Sequence, residues 1–74
     1  MTRTKAHKDF LNHGHALARS AWSAWYTAYQ YAAEIQSPLL PLIDKGCDYA
    51  EKQRHVPDKY LRAAEALYNS ALDA

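Results

Sequence analysis

Histidine and cysteine bring the most reactive side chains in this sequence, and their spacing decides what chemistry they could do. His7, His13 and His15 lie close together, His55 follows far downstream, and Cys47 is the one cysteine. On a helix, Asp9 and His13 stand four residues apart on one face, as two metal ligands would. His13 and His15 are two apart and point to different sides, so no third ligand completes the group. Cys47 has no histidine at a recognisable activating spacing and reads as a small apolar residue beside Gly46. A glycine-rich phosphate loop and a paired-carboxylate motif are both missing from the sequence. These patterns predict no catalysis, no metal and no cofactor. They leave the histidines as solvent-exposed groups near the start of a helix.

Aromatic residues offer a different chemistry, that of contact. On a helical wheel, Trp22, Trp25, Tyr26 and Tyr29 fall at i, i+3, i+4 and i+7 and form one sector. A second sector is small and aliphatic, with Gly14, Leu17, Ala21, Ala24, Ala28, Ala32 and Ile35 beside Phe10; a third is polar, with Tyr31 at its border. A heptad also runs through Leu11, Gly14, Ala18, Ala21, Trp25, Ala28, Ala32 and Ile35. Its residues are mostly small, which suits close antiparallel packing rather than a leucine-rich zipper. The apolar arc covers about 200°, against the roughly 100° stripe of an ordinary surface helix, so it needs two neighbours. Either the rest of the chain covers the aromatic sector as core, or another molecule meets it. Trp and Tyr suit the second role because each joins a large apolar area to a polar tip. The four aromatics are therefore the expected partner-binding residues.

The elements that must position these side chains are helical. Alanine is the commonest residue, with only 2 glycines and 3 prolines in 74 residues, and no useful period-2 apolar run appears. Pro38, Pro41 and Pro57 divide the chain. A long first helix is expected from about Thr4 or Lys8 to Gln36, ending because the residue before a proline resists the helical conformation. A second covers roughly Leu39 to Arg54, with Ser37 as its N-cap and Gly46 weakening it. A third begins at Pro57-Asp58 and carries an apolar stripe through Tyr60, Leu61, Ala64, Leu67, Tyr68, Ala71 and Leu72. Asp58 and Arg62 are spaced for a surface ion pair. The fold class is all-α: a small three-helix bundle, or a kinked antiparallel helical hairpin, with one long N-terminal helix. Residues 1–74 form one domain, of which 1–7 is a basic, frayed arm.

Charge narrows the function further. Nine basic and 8 acidic residues give a net charge of +1, unlike a strongly basic nucleic-acid binder or an acidic mimic. The N-terminus lacks the apolar core of a signal peptide, and the apolar stretch near Leu39 is too short to span a bilayer. A single cysteine excludes an internal disulfide and fits a reducing, cytoplasmic setting. A chain this short needs help to be stable, and self-association is one source. The sequence therefore points to a non-enzymatic protein-interaction module, dimeric, acting as an adaptor or as an inhibitor of a larger protein, such as a phage- or plasmid-type modulator of a host factor. The rival is a small DNA-binding regulator. It would use Arg3, Lys5 and Lys8 of the basic arm as anion contacts together with the third helix, where Lys59 and Arg62 alternate with Asp58 and Glu65.

Overall fold

The Thr4 hydroxyl accepts the backbone N–H of His7 at 3.2 Å and caps helix α1, Lys5–His13. The computed structural model describes residues 3–74. After α1 come a 3₁₀ segment, Gly14–Arg19, and helices α2 (Trp22–Glu34), α3 (Leu40–Glu51) and α4 (Asp58–Asp73). The all-α bundle expected from the sequence is what forms, with four α-helices among the described residues rather than three. Lys5 to His7 are the first turn of α1 and not a frayed arm; Met1 and Thr2 of that arm lie outside the described residues.

The long first helix is where expectation and structure part. A continuous helix of about 30 residues would span roughly 45 Å, whereas the whole molecule is 37 Å in its longest dimension. The chain instead tightens into the 3₁₀ segment and reverses through Ser20, whose φ is 56°. α1 then lies antiparallel to α2. Thr4 hydrogen-bonds the Glu34 carboxylate, and the rings of His7 and Phe10 sit 4.8 and 5.5 Å from Tyr31. The physical reason lies in the wide apolar arc: folded back on itself, the segment supplies one of the two neighbours that the arc requires. Gly14 makes the contact with α4 possible. A Cβ there would lie closer than 3.0 Å to two carbons of the Tyr68 ring. The seam heptad is accordingly not one continuous stripe, since Gly14, Trp25, Ala28 and Ala32 are buried while Ala18 and Ile35 are exposed.

Prolines set the other boundaries. Ser37 Oγ accepts the Leu39 N–H at 3.1 Å, Leu40 opens α3, and Pro41 sits in the first turn, where a missing N–H costs nothing. α3 and α4 do not run on as a kinked rod. The rings of Tyr49 and Tyr60, eleven residues apart, meet at 5.7 Å, whereas eleven residues of continuous helix would separate them by roughly 16 Å. Asp58 and Arg62 form no ion pair; among the described residues the one salt bridge is Lys52 to Asp48, at 3.3 Å.

At the centre of the core, Trp25 of α2 is fully buried and its ring lies on the backbone of α3. Gly46 is the reason it fits, because a Cβ there would fall closer than 3.0 Å to three of the ring carbons. The adjacent Cys47 thiol donates to the Trp25 carbonyl at 3.0 Å. Phe10, Ile43, Val56 and Leu67 fill the space around them, and alanines on α2 and α4 let the helices approach.

Candidate interaction surface

α2 carries the aromatic sector, and the structure splits that sector in two. At 100° per residue, the buried residues Ala24, Ala28, Tyr31, Ala32 and Trp25 occupy one side of the helix. Tyr29 lies about 40° beyond Trp25 on the wheel, and the edge of the core runs between them. Trp25 is 0 % exposed and is therefore a core residue rather than a contact residue. Trp22, Tyr26 and Tyr29 are 47 %, 46 % and 36 % exposed and stand within an arc of about 60°. The Trp22 and Tyr26 rings stack at 5.2 Å with planes 16° apart, which holds the two side chains in a fixed ridge.

The surroundings of this ridge are as informative as the ridge. From Trp22 to Ala33, α2 contains no acidic or basic residue, and Glu34 is its first. Ser23, Gln30 and Ala33 complete its exposed side. The other helices present charge to solvent: Lys5 and Lys8 on α1, Asp44, Lys45, Asp48 and Glu51 on α3, and Asp58, Lys59, Arg62, Glu65 and Asp73 on α4. α2 is thus the one helix whose exposed face carries no charge before its last residue, although Ile35 just beyond it and Leu72 on α4 are also large apolar side chains exposed to solvent.

The remaining candidates have structural roles or stand apart. His7 is buried, with Nε2 2.7 Å from the Ala71 carbonyl near the end of α4, so it ties α1 to α4 instead of facing solvent. Tyr31, assigned by the wheel to the polar border, is buried against His7 and Phe10. Its burial depends on α1 folding back, which a wheel drawn for one long helix cannot show. Among the described residues no three His, Cys, Asp or Glu side chains gather as a metal site would need. Cys47 is half-buried, and burial, then the carboxylates of Asp44 and Glu51, pushes its thiol up to about 12. Arg3 is exposed and its guanidinium donates to the Ala74 carbonyl at 3.4 Å, while Lys5 and Lys8 are exposed on α1. On α4 the Lys59 ammonium lies 5.0 Å from the Tyr60 ring centroid, and Arg62 borders a groove of about 440 Å³ between α4 and the 3₁₀ segment. No helix is long and apolar enough to cross a membrane among the described residues.

Compared with known protein families, with curated proteins and with solved structures, the chain matches none.

Proposed function

We propose that this protein is a non-enzymatic protein-interaction module that associates through the outward face of α2, and that a second copy of the chain is the partner this face fits first. The observation that carries the reading is the ridge of Trp22, Tyr26 and Tyr29 on a helix without a charged residue for its first twelve positions. Interface centres are depleted in charge and enriched in Trp and Tyr, which bury much area for little rotamer entropy. A two-fold contact sets a surface against itself. The mixed charges of α3 and α4 would have to fall into matching register in that arrangement, whereas the ridge on α2 brings no charge that must be paired.

Size bounds the strength of the contact. Rings of 150–250 Å² each, exposed to this extent, offer roughly 300 Å², against about 800 Å² per partner in a standard interface. Ser23, Gln30, Ala33 and the neighbouring side of α1 must supply the rest, so the association is weak and concentration-dependent. In this reading the module works by contact, as an adaptor or as an inhibitor of a larger protein. A cytoplasmic setting suits its free thiol.

Light scattering over a dilution series tests it. The wild-type mass should rise from 8.4 kDa toward twice that value as concentration increases. The double variant Trp22→Ser/Tyr26→Ser should remain at the monomer mass with an unchanged circular dichroism spectrum. A wild type that stays monomeric at millimolar concentration, or a variant that associates equally well, would overturn the proposal. Association that weakens steeply as salt rises would point instead to the charged surfaces.

A further inference from the structure

Where the 3₁₀ segment hands over to α2, the chain passes the connection between α3 and α4, and the two flank an open cleft of about 530 Å³. One wall carries Arg19 and Trp22; the other carries Glu51, Gln53, Arg54 and His55. Both arginines are placed by backbone turns. Arg19 precedes Ser20, at φ 56°, and Arg54 follows Gln53, at φ 55°. The second turn is closed by two bonds that end α3, Arg54 N–H to the Tyr49 carbonyl at 2.9 Å and Gln53 N–H to the Ala50 carbonyl at 3.1 Å. The backbone therefore fixes where each arginine leaves the chain, although the two are 35 positions apart in sequence.

Neither guanidinium is neutralised within the protein: the salt bridge of the described residues joins Lys52 to Asp48, and no side-chain hydrogen bond among them involves Arg19 or Arg54. Two arginines, whose planar guanidinium forks are permanently charged, and a histidine thus line a cleft in which Glu51 is the one carboxylate. Guanidinium forks match the tetrahedral oxygens of a phosphate group, which accept two N–H donors from each fork. The cleft is open to solvent, with room for a small anion between its two walls.

We infer that this cleft binds a phosphate group, free or as a monoester, with Arg19 and Arg54 donating to its oxygens and His55 at its edge. Trp22, half exposed on the same wall, adds a flat apolar surface beside the phosphate position. The phosphate could come from inorganic phosphate and simple sugar phosphates or from a mononucleotide, and the ring surface distinguishes them. The inference does not rest on self-association through α2.

The experiment is titration of ¹⁵N-labelled protein with inorganic phosphate, ribose 5-phosphate and adenosine monophosphate, in parallel, at low chloride. Saturable shifts at the backbone amides of Arg19, Arg54 and His55 are expected for all three. Tighter binding of adenosine monophosphate, with shifts extending to the Trp22 indole, would identify the mononucleotide as the source; equal affinities would identify the phosphate alone. Arg19→Gln and Arg54→Gln should each weaken binding at least fivefold, while Glu51→Gln should tighten it about twofold to fivefold. Lys45→Gln, an exposed cation outside the cleft, should change nothing. Shifts that fail to saturate, or equal weakening by Lys45→Gln and Arg19→Gln, would reduce the effect to general charge screening and overturn the inference.

Discussion

Gly46 and Trp25 show how one residue's missing atoms make room for another's bulk. Replacing Gly46 with alanine gains about 1 kcal/mol of helix propensity, yet it sets a Cβ against a rigid ring locked in the core. Overpacking of this kind costs about 1–3 kcal/mol. Gly46→Ala should therefore lower the urea midpoint, and Gly46→Ala/Trp25→Leu should lose less than the sum of its two single changes, because the clash disappears with the ring. Cys47 supplies a second test at this scale. Its thiol is held in the neutral form, raised from 9.0 to about 12 by burial and then by Asp44 and Glu51. A raised pKa means that the thiol's contribution to stability is complete below about pH 9 and is lost as pH climbs toward 12. The stability difference between wild type and Cys47→Ala should shift against the wild type over that window and be flat below it. At pH 8, alkylation of the folded protein should also be much slower than that of the urea-unfolded chain.

At the scale of elements, proline and pattern made α3 and α4 legible in the sequence. Pro57-Asp58 marks the start of α4 within a residue, and Ser37, Pro38 and Pro41 frame the start of α3. The first half was legible in composition but not in path. Its periodicity is continuous enough to read as a single helix, and neither Ser20 nor Ala21 is a residue type that announces a reversal. What decides the path is tertiary: the arc of apolar residues is too wide for one helix in water, and the antiparallel pairing of α1 with α2 covers it. The candidate contact face was legible to the same degree. The spacing identified all four aromatics, while assigning Trp25 to the core required knowing which side α3 would take. Helix ends carry a prediction of their own. Gln36, at φ 53°, closes α2 in the left-handed conformation, with Ser37 N–H bonded to the Ala32 carbonyl at 2.9 Å. A side chain in that conformation costs about 1–2 kcal/mol, and glycine avoids most of it while losing some through its freer unfolded state. Gln36→Gly should raise stability by about 0.5–1 kcal/mol, or a few degrees in Tm, and a lower Tm would show that the Gln36 side chain has a contact of its own.

The molecule as a whole has a Cα radius of gyration of 10.9 Å, close to the roughly 11 Å of a compact domain of this length. Four short helices and a 3₁₀ segment bury Trp25, Phe10, Ile43, Leu67 and Val56 within one chain. Self-association is accordingly not needed to complete the core, which changes its meaning: what α2 leaves outside is a surface available for contact rather than a gap in the fold. The free energy of such a small domain is still modest, so changes inside the core endanger the fold while changes on the ridge should not. That separation lets the interaction be tested without confusing it with unfolding.

The most direct test is the concentration dependence of the amide and indole signals of ¹⁵N-labelled protein, followed by nuclear magnetic resonance from micromolar to millimolar. Progressive shifts confined to Trp22, Tyr26, Tyr29 and their α2 neighbours, with the Trp25 indole unmoved, are the predicted result. Signals that stay fixed throughout that range, or that move on α3 or α4 instead, would contradict α2 as the surface through which the protein makes its contacts.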